Sequence, residues 1–513
     1  MGLTALVLFL VCLGTASGNK NVLFLVVDDL RPQLGCYEGP HFPSPTHPKM
    51  HTPNLDALAK RSLLLTRGYC QYALCGPSRA SVLTGRRPDS THVYDLHHYW
   101  REVGGNFTTI PQCFKEHGYN TIGMGKIFHP GASSGDKDPI SWSDGKPNIE
   151  FARYGKPYHD NNLVDAIPES KIHQNPLGET MLANHAIDTL KKVSNKAKSG
   201  QQNFFVAVGF HKPHTPWHFP AKYLSYYPTH SVKPPSNMYP PKNMPLVAWH
   251  QFDNLGNHDD VKALHLHSVG KVGFSFPNDT VVKLRQAYYS CASWIDDEIG
   301  RILKTLEDEG LADDTIVSFW GDHGWALGEN GEWEKQTNFE IGTHVPFMVR
   351  VPGLTDHGIK TDKLTELVDL FPTLVEAAGL PKLNRCPANG HSVRVCAEGD
   401  SMVPLMKNPN DGNWKQAAFS QYSHHVDGHG SFMGYTVRTD RYRYTEWPQY
   451  DFNRHQPDWD KEQGAELYDH QTDPWETENK ANDPAYHGVR QKLRGELRAG
   501  WRNIGNHGET LIG

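Results

Sequence analysis

The chain has 513 residues, enough for a large core and two unequal domains. Lys and Arg total 51 against 57 Asp and Glu, and the net charge of −6 gives no global attraction for nucleic acid or a membrane surface. An anionic ligand therefore needs a local cluster of positive groups.

Met1–Gly18 reads as a secretory signal, with an apolar run from Leu3 to Leu13 and the small residues Ala16 and Gly18 before the cut. No later stretch is long and apolar enough to form a transmembrane segment. The acceptors Asn106-Phe-Thr108 and Asn278-Asp-Thr280 suit an exported glycoprotein. Beyond Cys12, cysteines stand at 36, 70, 75, 113, 291, 386 and 396. An odd number in an oxidising compartment leaves at least one unpaired or chemically altered. Cys386 and Cys396 close a short Pro-, Asn- and Gly-rich loop and make the simplest disulfide bond; Cys75 is the candidate for alteration.

In chain order, the apolar run Asn21–Val27 reads as a strand buried on both faces of a parallel sheet, ending in Asp28-Asp29. Acidic residues at that exit lie where open α/β sheets build their sites, and two adjacent carboxylates repel unless a cation lies between them. Thr52-Pro53 opens a helix expected to reach about Leu64. Cys75-Gly-Pro-Ser-Arg79 leads into another, ending near Thr84-Gly85; Arg79 could steady an anion and help keep the sulfur deprotonated. Ile110–His117 is predicted helical and Asn120–Gly125 a strand, followed by Lys126 and His129. The stretch from Gly131 to about Pro176 is an irregular excursion expected to line a cleft.

A helix is expected at Glu179–Lys192, then a strand at Asn203–Phe210 that delivers His211-Lys212-Pro213-His214 into a second irregular wrap reaching Pro245. Val281–Leu306 is the longest predicted helix. Thr315–Trp320 is a buried strand ending in Gly321-Asp322-His323, and the turn after it carries Lys335. Val345–Val351 reads as a strand and Glu366–Ala378 as a helix. The alternation predicts an α/β catalytic domain over 19–409, a large mostly parallel sheet sandwiched by helices. Past the linker Asn408–Gly412, Gly434–Thr439 and Arg441–Glu446 alternate like antiparallel strands, and a helix at about Gly488–Trp501 completes a smaller C-terminal α+β domain over 410–513.

Strand exits thus present Asp28, Asp29, Lys126, His129, His214, Asp322 and His323, with Cys75 at a nearby helix start. Three aspartates form a hard-oxygen set that suits Ca²⁺ or Mg²⁺ better than zinc. Arg79, Lys126, His214 and Lys335 supply positive field for an anionic group. Each residue also has a plain structural reading, such as a solvated loop lysine or a helix-capping aspartate. Their recurrence at successive strand exits favours a site.

Cys75-Gly-Pro-Ser-Arg79 with Leu83-Thr84-Gly85 resembles the signature of the sulfatase family, and Asp28-Asp29, Gly125-Lys126, Pro213-His214, Asp322-His323 and Lys335 fall in that family's order. The segment from Glu466 through Asp473-Pro474 to Asn479 resembles the family's C-terminal motif, so the likeness covers nearly the whole chain. Within the family it is strongest to a lysosomal subgroup that removes the 2-sulfate of terminal iduronate in heparan sulfate and dermatan sulfate. One departure is that the excursion after Gly131 holds no cysteine, where that subgroup would carry a bridged loop.

The resemblance implies that a formylglycine-generating enzyme converts Cys75 to formylglycine, whose hydrate attacks sulfur. It implies that Asp28, Asp29, Asp322, His323 and modified Cys75 hold one Ca²⁺. Arg79 would steady the diol, while Lys126, His214 and Lys335 neutralise sulfate; His129 would relay the proton that restores the aldehyde, and His214 would protonate the leaving oxygen. The expected substrate is a sulfated glycosaminoglycan oligosaccharide. Alternatives left open are another sulfatase, a phosphonate or phosphate ester hydrolase of the same superfamily, and a non-catalytic glycosaminoglycan-binding protein.

Overall fold

The structure, a computed structural model, describes residues 19–39, 47–146 and 161–503. The expected signal peptide and part of the excursion after Gly131 lie outside the described residues. Strands β1 (Asn21–Val27), β2 (Leu63–Tyr69), β3 (Asn120–Gly125), β4 (Phe204–Phe210), β5 (Thr315–Gly321), β6 (His344–Arg350) and β7 (Ile359–Glu366) form one sheet in the order β7-β2-β6-β5-β1-β4-β3. Only β6 runs against its neighbours, so the sheet is mostly parallel as expected.

β1 has every residue buried because helices cover both faces. Leu23, Leu25 and Val27 face a core shared with α1 (Pro53–Ala59), α4 (Gly178–Lys198) and α5 (Asn278–Asp308). Val22, Phe24 and Val26 face the opposite core, built with α2 (Cys75–Thr84), α3 (Ile110–Glu116) and α6 (Leu370–Ala377). Period-two alternation is present, but both faces are apolar, giving a continuous hydrophobic run.

Register places the site. Val27 lies opposite Phe210 on one side and Gly321 on the other, so β1, β4 and β5 end level. Gly125 of β3 pairs with Gly209, bringing the exit of β3 to the same edge. A Cβ at Gly209 would lie 2.1 Å from the Lys126 carbonyl oxygen, so only glycine lets the chain after β3 fold this close across β4.

Two expectations need correction. The helix from Thr52 stops at Ala59, and Leu64 belongs to β2. A short Leu-rich run has no periodicity that separates a buried strand from a helix, and its pairing with β6 and β7 decides the matter. Likewise Glu366 ends strand β7 and does not start a helix; α6 begins at Leu370, after a short 3₁₀ turn. The polar, half-exposed edge strand hid behind the apolar helix that follows it. The two irregular stretches also meet, Val164–Ile167 pairing in parallel with Trp217–Pro220.

Beyond residue 410 lie β8 (Ala418–Val426), β9 (Gly430–Arg438), β10 (Tyr442–Asp451) and β11 (Gln456–Asp469), an antiparallel meander in sequence order. Helix α7 (His487–Ala499) covers one face by burying Leu493 and Leu497 against Val437, Tyr444 and Leu467. The meander joins the main sheet beside the residues preceding Cys75: the Gln421 N–H donates to the Gln71 carbonyl at 2.9 Å. Cys386 and Cys396 form a disulfide, as the sequence suggested. Asn106 and Asn278 are exposed. Among the described residues no helix is long and apolar enough to cross a membrane.

Candidate active site

Cys75 opens α2, whose ten residues are all buried, beneath the level edge where the strands end. A thiol at a helix N-terminus faces unpaired N–H groups, which favour negative charge. Its Sγ lies 3.2 Å from Asp28 Oδ1, 3.3 Å from His323 Nε2, 3.5 Å from Lys126 Nζ and 3.6 Å from Lys335 Nζ. Residues from four separate segments therefore converge on one atom. Burial and the Asp28 charge push the Cys75 thiol up, but Lys126 and Lys335 outweigh them and it falls below its ordinary value.

Three carboxylates surround that atom, each with its own cation. Lys126 Nζ donates to Asp28 Oδ2, and Lys335 Nζ donates to Asp29 Oδ1 at 2.6 Å. Arg79 Nε donates to Asp322 Oδ2 at 2.9 Å while its Nη2 sits 3.3 Å from Asp28 Oδ1. The rest of that guanidinium holds the carbonyls of Lys126 and Ile127, so Arg79 ties three strand exits together. Burial opposes ionisation of Asp28, yet Lys126, His214, Arg79 and Lys335 hold it well below the usual carboxylate range. Asp29, with burial and Asp28 against it and Lys335 for it, is pushed up to about 7. Burial would lower His323, but Asp322 and Cys75 raise it to about 9. His323 Nδ1 donates to the Gly324 carbonyl at 2.9 Å, leaving Nε2 turned toward the carboxylates.

Three carboxylates give the donor set the oxygen atoms that a hard cation takes, with Cys75 Sγ and the His323 imidazole beside them. Ligand atoms of Asp28, Cys75, Asp322 and His323 lie within 4.8 Å of one another, as do those of Asp28, Asp29, Cys75 and His214. Asp29 Oδ2 is buried with no hydrogen-bond partner, an orphan acceptor of the kind a metal ion would satisfy. Asp29 also has φ 59°, a left-handed backbone. Its N–H donates to Asp322 Oδ1 at 3.1 Å and its carbonyl accepts the Tyr288 hydroxyl at 2.7 Å.

His214 and His129 stand at the rim. His214 Nε2 is 3.8 Å from Asp29 Oδ2, and the side chain is part-exposed. Burial and the Lys126 charge lower His129 to about 3, so it is neutral, and its buried Nδ1 has no hydrogen-bond partner. The structure thus brings Cys75, Arg79, Lys126, Asp28, Asp29, Asp322, His323 and Lys335 into direct contact and sets the two histidines beside them.

Supporting contacts also emerge. The Trp325 ring lies under Lys335 Nζ at 5.0 Å from its centroid. Ser78 donates to the Asp322 carbonyl, and Glu179 accepts the His211 and Lys212 N–H groups at 3.2 Å, bracing the turn that bears His214. Ser78 lies inside the Cys75 motif and could have been read there. Tyr288 and Glu179 reach the site from distant helices, and no local pattern marks them.

Comparison with known proteins bears on this geometry. Residues 20–380 match the family model described as sulfatase, and residues 328–502 match the C-terminal model of N-sulphoglucosamine sulphohydrolase. The chain is 36% identical to mouse (Mus musculus) iduronate 2-sulfatase, over 94% of each chain. Similar solved structures include one in complex with its substrate D-glucosamine-2-N,6-O-disulfate (TM-score 0.70, 20% identity, 94% of this chain and 97% of that one). Another is the phosphonate monoester hydrolase of Agrobacterium radiobacter (TM-score 0.68, 21% identity, 94% and 95%). At these identities the structural likeness establishes the fold.

Proposed function

The chain belongs to the sulfatase family and is a sulfuric ester hydrolase; from that premise we propose that it removes the 2-sulfate of terminal iduronate in heparan sulfate and dermatan sulfate, in the lysosome. The observation that carries the substrate assignment is the likeness to mouse iduronate 2-sulfatase along almost the full length of both chains.

In this reading a formylglycine-generating enzyme oxidises Cys75, and the hydrated aldehyde supplies the attacking hydroxyl. Asp28, Asp29, Asp322 and His323, with the residue at 75, would hold one Ca²⁺, which supplies positive charge beside the sulfate. Lys126 and Lys335, 3.5 and 3.6 Å from the residue 75 side chain, neutralise sulfate oxygens in a water-poor pocket. Arg79 acts through Asp28 and Asp322, fixing both carboxylates. His129, neutral and unpartnered at Nδ1, takes the proton released when the aldehyde reforms. His214, part-exposed at the rim with Nε2 3.8 Å from Asp29 Oδ2, would protonate the leaving sugar oxygen.

Two measurements test this. The peptide containing Cys75 should be about 18 Da lighter than its thiol form. Defined 2-sulfated disaccharides should be hydrolysed in preference to aryl sulfates and phosphate esters. An intact thiol in active protein overturns the nucleophile, and preference for phosphate esters overturns the substrate.

A further inference from the structure

Lys335 stands in backbone that its neighbours do not favour. Glu334 and Gln336, on either side of it, have φ of 69° and 75°, left-handed conformations in which a long side chain crowds its own backbone. Such backbone persists only where the surroundings over-determine it. The short pairing of Ala326–Leu327 with Trp333–Glu334 reaches no further than Glu334, so the constraint on Lys335 comes from elsewhere.

Three remote segments supply it. The Gln336 N–H donates to the carbonyl of Ala73, two residues before Cys75, at 3.0 Å, and Gln336 Oε1 accepts the Tyr422 hydroxyl of β8 at 3.0 Å. On the other side of the lysine, His250 grips the turn twice. Its N–H donates to Glu332 Oε1 at 3.0 Å, and its Nε2 lies 3.4 Å from Glu334 Oε2, with both side chains of that pair buried. His250 is itself anchored: Val247 and Ala248 just before it pack with Phe432 of β9 and Trp447 of β10, and its ring lies beside the His424 ring of β8 at 6.4 Å between centroids. The smaller sheet thus reaches the lysine from both sides, through Tyr422 and through His250. A buried carboxylate deprived of its partner turns toward water. If residue 334 returned to negative φ in doing so, the Lys335 side chain would swing off Asp29 Oδ1, to which its Nζ now donates at 2.6 Å.

We propose that His250 is a positioning residue for the sulfatase reaction: acting through Glu334, it holds the reversed backbone that aims Lys335 at Asp29 and at the residue 75 side chain. The proposal rests on the reading of Lys335 as a group that neutralises sulfate oxygens. His250 works at one remove, and its ring contact with Glu334 is the part of it that matters.

The test compares His250→Gln, whose amide nitrogen takes the place of Nε2, with His250→Asn, which is one methylene too short to reach Glu334; both keep the N–H that Glu332 accepts. On a 2-sulfated disaccharide, His250→Asn should lower kcat/KM about 10-fold, with the melting temperature close to that of His250→Gln, which should stay within about twofold of wild type. Equal activity in the two variants overturns the proposal. Glu334→Gly, which accepts the left-handed backbone, should make the loss non-additive: adding His250→Asn to it should cost no more than about a further twofold, and a full second 10-fold loss overturns the route through Glu334. A crystal structure of His250→Asn decides the placement independently of turnover, since Lys335 Nζ should part from Asp29 Oδ1 and an unmoved lysine overturns the proposal. If Lys335→Ala protein keeps full turnover, the reading of Lys335 fails, while a displaced lysine in His250→Asn still upholds the positioning.

Discussion

Two buried charge clusters flank the turn between Lys335 and His344, and they are built to opposite ends. At the junction of the two sheets, Glu340 accepts from Tyr69 at 2.7 Å and from Arg438 at 3.0 Å, with Arg443 on the same oxygen. Glu476 accepts from Arg443 at 2.7 Å, from His470 at 3.0 Å and from the Glu340 N–H at 2.7 Å. Every carboxylate oxygen there has a donor. Burial opposes the charge on both acids, but the arginines hold both below their ordinary values. In the candidate active site the acids are driven apart, Asp28 down and Asp29 up to about 7, and one Asp29 oxygen has no donor. The junction uses arginine forks that close on carboxylates; the site has one such fork, Arg79, adds two lysines as point charges and leaves coordination open. Buried charge alone therefore does not mark a functional site, whereas unfilled valence with split pKa values does.

The sharpest break of that comparison sets one residue from each cluster side by side. Cys75→Ala should cut turnover by more than about 10³-fold, beyond the lower part of the range that acid–base catalysis alone spans, with the melting temperature little changed. Arg443→Met should do the reverse, costing about 3–5 kcal/mol of stability by stranding buried Glu340 and Glu476 while kcat, measured well below melting, holds. An Arg443→Met enzyme that is stable but inactive would erase the distinction.

Next in size, Arg79→Lys keeps the charge but loses the fork that joins Asp28 to Asp322. A fall of about 10²-fold in kcat/KM is expected, together with a smaller rise in melting temperature on adding Ca²⁺ to chelator-treated protein. An unchanged Ca²⁺ response would show that Arg79 does not arrange the acids.

The smallest effect concerns pH. Burial pushes the Glu332 carboxyl from its ordinary 4.5 up to about 8. Folded protein then keeps a proton that the unfolded chain gives up, so this stabilisation is whole below 4.5 and drains away as pH rises through about 8. Asp296 and Glu466, each raised by burial to about 7, act in the same direction. Glu329 has the opposite sense: burial resists ionisation, but Arg31 and Arg285 hold it down at about 2, and its contribution is lost only as pH falls below its ordinary 4.5. Melting temperature should therefore decline between pH 5 and 8.5, and Glu332→Gln should flatten the decline; an equal slope in the variant would remove Glu332 from the account.

How much of this was legible in the sequence depended on the distance over which each constraint acts. Runs such as Asn21–Val27 and Thr315–Trp320 are buried on both faces, and the polar residues that end them can only be strand exits, so Asp28, Asp29, Asp322 and His323 were readable one segment at a time. β7 was not, because an edge strand with Lys360 and Asp362 exposed lacks the apolar signal. Nor were β8 and β11, whose mixed polar faces take their order from pairing across hairpins. Tyr288 lies 259 positions from the Asp29 carbonyl it holds, and nothing local predicts that bond. The Cys75 motif suggested an arginine for the reacting group; only the fold shows that Arg79 also donates to Asp322 and to the carbonyls of Lys126 and Ile127, with its Nη2 buried and without a hydrogen-bond partner.

The left-handed turn at Asp29 has a consequence for symmetry. Neighbouring side chains of an extended strand point to opposite faces, so a plain Asp-Asp continuation of β1 would send one carboxylate into each of the two cores. A single residue of reversed handedness, φ 59°, cancels that parity and turns both acids into the same chamber. Asparagine tolerates this backbone nearly as well, so Asp29→Asn separates shape from charge at one position, leaving the chamber's outline intact while removing one of its negative walls.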